Sequence, residues 1–214
     1  KIILVGDLFD RGVNGHLVWE LIHRHNMDCF MGNHEIKLLR FLKGERSSLP
    51  PHYYWTLNNL YERGITPELL IPFLESLPIL RRYTDDNGKP FIVAHAGVDP
   101  YDPMHENVSY NVYGNFGEHE KMPRPNALDG KVYWWSLYLG TTPVYYGHLC
   151  DQEGSPEFNQ ARIRYSPSGT INSIGLDTGA CHGGPLTCAC VETGQVIQYR
   201  SEVDWFARQK RAFA

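Results

Sequence analysis

The sequence predicts an α/β fold because the same order of elements occurs twice in its first 44 residues. Residues 2–5 form a short apolar run rich in β-branched side chains, which is typical of a buried strand. A helical pattern follows over residues 13–26. A second short strand covers residues 28–31, and a second helical pattern covers residues 36–42. Both strands end at a glycine, and strand, polar loop and helix in this order are typical of α/β proteins.

The middle of the chain adds a predicted helical insertion and a predicted long loop. Residues 50–76 hold two helical stretches, which are separated by a glycine and a proline. Two strands follow over residues 77–83 and 91–94. Residues 99–130 lack periodicity and are rich in Pro, Asn and Gly. We expect a long ordered loop here that covers the functional site, because loops of this length tend to be functional. We interpret residues 1–214 as a single domain with these two features.

The last third of the chain returns to strands. Residues 131–138 are strongly aromatic. Trp134 and Trp135 are candidates for stacking on a nucleobase, but packing in the core is the interpretation we favour. The strand patterns that follow, separated by turn residues, cover residues 144–146, 161–165, 170–176, 186–191 and 195–200.

Composition narrows the class of protein. The 214 residues fit one domain, and a net charge of -4 gives no overall basic footprint for nucleic acid. No apolar run is long enough to cross a bilayer, so we expect no membrane partner. The five cysteines form neither a disulfide framework nor a zinc pattern, which favours a reducing, cytoplasmic setting. The sequence leaves the oligomeric state open.

Metal-capable side chains follow four predicted strands. A carboxylate, an amide and two imidazoles stand within two residues of a glycine at these strand ends, in the order Asp7, Asn33, His95 and His148. Mixed oxygen and nitrogen donors suit divalent transition metals, and manganese, iron and zinc all accept such a set. Asp10 and Arg11 share the first loop, and a guanidinium suits phosphate oxygens. The sequence therefore predicts a site for metal and phosphate.

The motifs at these strand ends resemble those of the calcineurin-like metallophosphoesterases of the phosphoprotein-phosphatase type. Residues 6–12 resemble the GDxxDRG box and residues 32–35 the GNHE box. Residues 95–97 and 147–148 resemble the third and fourth boxes. Residues 175–187 resemble the DTGxxxGGxLT segment of the bacterial branch. Within that branch, the nearest resemblance is to the phosphatase domain of bacterial polynucleotide kinase-phosphatase and to related small phosphatases.

This resemblance implies a fold and a set of roles. The fold is a four-layer α/β/β/α sandwich of two mixed sheets. Two divalent cations are implied, with manganese expected and iron, zinc or nickel as alternatives. Asp7 would bridge the two cations, and the second would also be held by Asn33, His95 and His148. His34 would donate the proton to the leaving oxygen and be held by Asp10, while Arg11 and His182 would contact the phosphate.

One part of the family pattern does not occur in this sequence. The family carries an Asp-x-His box on the strand that precedes the GDxxDRG strand, and this box supplies ligands of the first cation. No Asp-x-His occurs among these residues. We expect the box and its strand to lie upstream of Lys1, which makes the second cation site the more secure of the two. A one-metal or non-catalytic, phosphate-binding relative is the alternative.

A second phosphate-clamping arginine of the polynucleotide-phosphatase relatives aligns with Lys131. A lysine supplies a point charge without the arginine fork, and Arg124 is the alternative position. Cys181 suggests a nucleophile, but the surrounding motif belongs to a family that uses metal-activated water.

The leading functional hypothesis is a metal-dependent phosphomonoesterase resembling Ser/Thr protein phosphatases, in which metal-bound hydroxide attacks phosphorus directly. A dinucleoside polyphosphate hydrolase or a phosphodiesterase that uses the same residues is the alternative. The shared boxes contact only the phosphoryl group, so a phosphoprotein, a nucleotide and a nucleic-acid end all remain possible substrates.

Overall fold

A five-stranded mixed sheet lies at the centre of the structure. The structure is a computed structural model, and it describes residues 1–12, 14–115, 133–150 and 159–200. Its strand order is β3-β4-β5-β7-β6. The three central strands are parallel, and the two edge strands run antiparallel to their neighbours. The strands are β3 (Leu80–Thr84), β4 (Pro90–Ala94), β5 (Val144–Tyr146), β6 (Arg162–Tyr165) and β7 (Ile171–Gly175).

Two shorter sheets complete the β-structure of the described residues. β1 (Ile3–Leu4) and β2 (Asp28–Cys29) pair in parallel, and β8 (Leu186–Ala189) and β9 (Val196–Tyr199) form an antiparallel hairpin. Side chains of β1 and of β8 pack against the same face of the five-stranded sheet. The resemblance had implied one mixed sheet in this layer. The described residues instead place two separate pairs there, since β1 and β2 are two residues long and pair only with each other.

Helices cover both outer faces. The first layer contains α1 (Gly15–Arg24), α2 (Asn33–Leu42), α3 (Pro51–Tyr61) and α4 (Pro67–Glu75), while α5 (Val108–Asn111) and α6 (Trp134–Leu137) are single turns. Both α3 and α4 begin with proline, whose fixed φ suits the first helical position. Of the predicted long loop, residues 99–115 are described and contain α5; residues 116–130 lie outside the described part of the chain.

The α2 helix begins three residues earlier than the sequence pattern indicated. The apolar periodicity marks only residues 36–42, but the first turn also includes Asn33, His34 and Glu35. Glu35 lies at the third helical position, and its Oε2 accepts a hydrogen bond from the Gly32 N–H at 3.1 Å. This contact satisfies a backbone donor that the helix itself leaves unpaired, so the turn forms without apolar residues.

Alternating side chains of the central strands pack on opposite faces. Phe91, Val93 and Tyr145 meet the short sheets, whereas Ile92, Ala94, Val144 and Tyr146 pack on the α6 side. There they meet Trp134 and Trp135, which are both buried, as expected for core residues. The layers therefore follow the order α/β/β/α, and the predicted α/β class is confirmed. None of the described helices has the length and apolar character needed to cross a bilayer.

Candidate active site

Side chains that follow four strands converge at one edge of the two β-layers. Asp7 follows β1, Asn33 opens α2 after β2, His95 follows β4 and His148 follows β5. The His95 Nε2 atom lies 3.4 Å from Asp7 Oδ1 and 3.3 Å from Asn33 Oδ1. Ligand atoms of Asp7, His95 and His148 all lie within 4.8 Å of one another. The four residues assigned to the second cation are thus brought together.

The tautomer of His95 shows why a cation fits here. Its Nδ1 lies 2.7 Å from the carbonyl oxygen of Val5, which only accepts hydrogen bonds, so Nδ1 carries the hydrogen. His95 is 1 % exposed, and burial lowers its pKa, which keeps the ring neutral. Nε2 therefore presents a lone pair to the oxygens of Asp7 and Asn33. Three electron-rich atoms facing one another without a proton are an arrangement that a divalent cation stabilises.

His148 completes this donor set. Its ring lies 5.0 Å from the ring of His95 and nearly perpendicular to it. Burial, with a further contribution from His95, lowers the pKa of His148 to about 4. The imidazole is therefore neutral near pH 7 and has a lone pair available for a metal. Manganese, iron, zinc and nickel all remain compatible with these donors.

The backbone holds this half of the site under tight constraint. Asp7 and His148 adopt positive φ angles of 54° and 67°, which residues with a side chain rarely do. A Cβ atom added to Gly32 would lie 2.3 Å from Asp7 Oδ1, and one added to Gly6 would lie 2.6 Å from His95 Nδ1. Only glycine therefore lets the two loops approach each other this closely.

Glu35 ties the first loop to the second. Its carboxylate accepts hydrogen bonds from the backbone N–H groups of Asp7 at 2.7 Å, Leu8 at 2.8 Å and Gly32 at 3.1 Å. Burial, followed by the charge of Asp7, raises the pKa of Glu35, and the two hydrogen bonds from the Asp7 and Leu8 amides oppose that shift. Glu35 had no predicted role. Its spacing three residues after Gly32 is the signal for such a cap.

His34 lies beside the cation side of the site (Asp7, Asn33, His95 and His148), and one nitrogen of its ring is held by a carboxylate. Nδ1 hydrogen-bonds to Oδ2 of Asp10, and Nε2 lies 3.9 Å from Oδ2 of Asp7. The ring of Tyr53 stacks on that of His34 at 5.6 Å and 17°. A histidine oriented by a carboxylate, with its other nitrogen facing the candidate cation ligand Asp7, has the geometry of a proton donor.

Arg11 and His182 also meet. Arg11 has a φ of 63°, and its Nη1 lies 3.0 Å from His182 Nε2. Burial, then the charge of Arg11, lowers the pKa of His182, so its neutral Nε2 accepts this hydrogen bond. The adjacent Cys181 keeps an exposed surface, yet loss of solvation raises the pKa of its thiol. A thiol is a poor nucleophile, which agrees with giving Cys181 no covalent role.

Comparison with known proteins supports the resemblance of the motifs. No protein-family model matches the chain. A bis(5'-nucleosyl)-tetraphosphatase PrpE (asymmetrical) of Bacillus cereus strain 03BB102 is 31% identical, with 87% of this chain and 74% of the relative aligned. The chain belongs to the calcineurin-like metallophosphoesterases of the phosphoprotein-phosphatase type. The PrpE of Bacillus thuringiensis subsp. konkukian strain 97-27 is 29% identical over the same shares.

Solved structures agree on the fold. The crystal structure of a candidate diadenosine tetraphosphatase has a TM-score of 0.63 and 23% identity, covering 93% of this chain and 79% of that protein. A hypothetical protein of Pyrococcus horikoshii OT3 has a TM-score of 0.51 and 11% identity, covering 99% and 78%. The family membership makes the chain a metallophosphatase, a hydrolase that acts on phosphoric ester bonds. The nearer relationship to polynucleotide kinase-phosphatase stays a prediction.

Two residues of the predicted site lie outside the described part of the chain, and one residue that contacts the site was not predicted. Lys131 and Arg124, the two candidates for a second phosphate clamp, fall in residues 116–132, which the structure does not describe. His52 was not among the predicted site residues. Its Nε2 lies 3.2 Å from Oδ2 of Asp10, the carboxylate oxygen that also holds His34. The signal available was its place at the start of a predicted insertion beside the site.

Proposed function

We propose that this metallophosphatase hydrolyses dinucleoside polyphosphates, with the scissile phosphoryl group seated between the cation side and His34. The observation that carries the chemistry is the convergence of the His95 lone pair with the oxygens of Asp7 and Asn33, next to the His34–Asp10 pair. The names of the PrpE relatives support the substrate class. They favour the dinucleoside alternative over a Ser/Thr-phosphatase-like monoesterase.

Each part of the site has a defined task in this reaction. Asp7, Asn33, His95 and His148 would hold a divalent cation, which polarises the phosphoryl oxygens and activates water when bound. Arg11, fixed by its contact with His182, binds non-bridging phosphate oxygens through its fork. The attacking water oxygen forms a new bond to phosphorus, and the bond from phosphorus to the bridging oxygen breaks.

His34 completes the step by handling the proton. The bridging oxygen leaves with the departing nucleotide and takes the proton from Nε2 of His34, the nitrogen that faces Asp7. Asp10 holds Nδ1 on the other side of the ring, so the ring cannot turn away. The proton of the attacking water passes to solvent, and the site returns to its starting state once His34 is protonated again.

A substrate panel tests this function directly. The full protein, supplied with Mn²⁺, is assayed on diadenosine tetraphosphate, p-nitrophenyl phosphate, bis(p-nitrophenyl) phosphate and a phosphoserine peptide. We expect the highest kcat/KM on diadenosine tetraphosphate. The PrpE relatives are named asymmetrical, so we expect one AMP and one ATP per substrate, separated by ion-exchange chromatography.

The panel also separates errors in substrate from errors in chemistry. A higher kcat/KM on the peptide or on p-nitrophenyl phosphate would contradict the dinucleoside substrate and leave metal-dependent hydrolysis standing. Full activity of His34→Ala on the phosphoserine peptide, whose alkoxide leaving group needs a proton, would contradict the proton-donor role itself. His25→Ala serves as the matched control, because His25 is an exposed histidine that follows α1 and lies outside the site.

A further inference from the structure

His52 brings a second imidazole to the carboxylate that holds the proton donor. It is the second residue of α3, and its Nε2 lies 3.2 Å from Oδ2 of Asp10. The same oxygen bonds Nδ1 of His34. The side chain of Asp10 is 4% exposed and that of His52 is 29% exposed. One buried carboxylate oxygen is therefore shared by two histidines, one catalytic and one reaching toward solvent.

The other oxygen of Asp10, Oδ1, does not help to fix the carboxylate among the described residues. Oδ1 is buried and accepts no hydrogen bond from any residue in the described ranges. The Nε atom of Arg11 stands 4.0 Å from Oδ2, beyond hydrogen-bond distance. A carboxylate oxygen has two lone pairs and can accept both imidazole N–H groups. The orientation of Asp10 thus depends on His34 and His52 alone among these contacts.

The chemistry of His52 fits a neutral donor. Burial lowers its pKa, although the charge of Asp10 opposes that shift. Asp10 accepts at Nε2, so the hydrogen of the neutral ring lies on Nε2 and is donated to the carboxylate. A neutral partner fixes the position of Asp10 without removing the negative charge that stabilises a protonated His34.

The N-terminal turns of α3 contact the proton donor from more than one direction. Tyr53, next to His52 in sequence, is 1% exposed and stacks on the ring of His34. The rings of His52 and Tyr53 lie 4.8 Å apart, so the three rings form one packed group. One turn later, Thr56 Oγ1 donates to the carbonyl oxygen of Phe9 at 3.5 Å, in the loop that carries Asp10.

We propose that His52 is a positioning residue for hydrolysis: its Nε2–H fixes the Asp10 carboxylate, which in turn aims His34 at the leaving oxygen. This inference rests on phosphoester hydrolysis by the site and not on the dinucleoside substrate. It gives α3 a role in the reaction, because the helix supplies one side of the proton-donating group.

The dependence of the hydrolytic activity on the leaving group distinguishes a positioning role of His52 from a purely structural one. p-Nitrophenolate leaves readily without a proton, whereas phenolate and alkoxides need one. A variant that misplaces the proton donor therefore loses more activity on phenyl phosphate than on p-nitrophenyl phosphate. General acid catalysis contributes about 10²–10⁴-fold, so for His52→Ala we expect a loss of about 10-fold or more on phenyl phosphate and less than about 3-fold on p-nitrophenyl phosphate.

The loss is expected in kcat, with KM little changed, because His52 contacts Asp10 and not the substrate. His52→Gln keeps an N–H at the distance of Nε2, and we expect it to restore most of the activity on phenyl phosphate. His25→Ala is the control for loss of an exposed histidine and should match the wild type on both substrates. Equal losses on the two substrates in His52→Ala, or no loss on either, would overturn the proposal.

An NMR measurement that needs no substrate turnover tests the same proposal if the protein hydrolyses aryl phosphates poorly. In the Mg²⁺-loaded protein labelled with ¹⁵N-histidine, the Nδ1 proton of His34 should be protected from exchange with water. We expect this signal to be lost to exchange in His52→Ala and retained in His52→Gln. An unchanged His34 signal in His52→Ala would overturn the proposal, whatever the outcome of the substrate panel.

Discussion

The two sides of the site are held in different ways. On the cation side, Asp7 and His148 take positive φ angles, and Gly32 leaves no room for another atom beside Asp7. On the proton-donating side, His34 is held by side chains, namely the Asp10 carboxylate and the ring of Tyr53. Backbone constraint makes the cation side intolerant of change, whereas side-chain contacts allow replacements that keep the same donor.

Removal of the negative charge of Asp7, on the cation side, should lower the activity more than any other change. Asp7→Asn keeps the size of the side chain and removes its charge, which should lower the affinity for a divalent cation. We expect kcat/KM to fall by at least about 10³-fold, since loss of one preorganised electrostatic group alone costs about 10²–10³-fold. Bound Mn²⁺, measured by elemental analysis, should fall with it. Activity within 10-fold of wild type would show that Asp7 is not needed.

The proton-donating side should be separable from the cation side. His34→Ala removes the ring and leaves Asp7, Asn33 and His95 in place. We expect activity on phenyl phosphate to fall by about 10²–10⁴-fold, because a proton donor typically contributes that much. Bound Mn²⁺ should stay at the wild-type level by elemental analysis. Loss of the cation in this variant would break the division into two sides.

A single added methyl group tests the backbone constraint. Gly32→Ala places a Cβ 2.3 Å from Asp7 Oδ1 and 2.6 Å from Glu35 Oε2, so the two loops must separate. We expect the free energy of unfolding to fall by about 1–3 kcal/mol, as for other overpacked sites, together with weaker Mn²⁺ binding. Urea unfolding and metal titration measure the two effects.

Gly15→Ala is the matched control for this change. A Cβ at Gly15, in the first turn of α1, would meet no atom closer than 3.7 Å, and alanine is a better helix former than glycine. We expect unchanged or slightly increased stability and unchanged Mn²⁺ binding. A loss in Gly15→Ala as large as that in Gly32→Ala would mean that the effect does not come from the loop contact.

The smallest effect is a pH dependence of the protein freed of cations by EDTA. The pKa of His148 is about 4 in the folded protein, against an ordinary value of 6.5. Between these values the unfolded chain binds a proton that the folded chain does not, so the free energy of unfolding falls as pH falls from about 6.5 towards 4. The lowered pKa of His95 adds to this trend.

His148→Asn should flatten this pH dependence, because asparagine does not titrate. Urea unfolding at several pH values between 4 and 7, on both proteins, checks the expectation. Stability of the wild-type protein that rises as the pH falls across this range would contradict a neutral His148.

The difference between the two sides also explains what the sequence could predict. Asp7, His95 and His148 each follow an apolar run and lie within two residues of a glycine, so local patterns point to them. The parallel pairing of β4 with β5 then brings strand ends to one edge, as expected for an α/β fold. The residues of the cation side could therefore be predicted from the sequence.

On the proton-donating side, the motif resemblance implied the pair of His34 and Asp10, but the contacts made by α3 follow from no local pattern. His52 lies 42 residues after Asp10, and no periodicity marks it as more than a polar residue near a helix start. Its role depends on how α3 packs against the first loop. The early start of α2 was missed because apolar periodicity does not mark its first turn; the signal was the spacing of Glu35 three residues after Gly32, which allows the hydrogen bond from the Gly32 N–H.

Anomalous scattering from crystals of the full protein soaked in Mn²⁺ would locate the cation itself. We expect an anomalous peak within about 2.0–2.6 Å of donor atoms of Asp7, Asn33, His95 and His148, the range of metal–ligand distances for divalent cations. A crystal with Mn²⁺ bound elsewhere and no peak among these four side chains would contradict it.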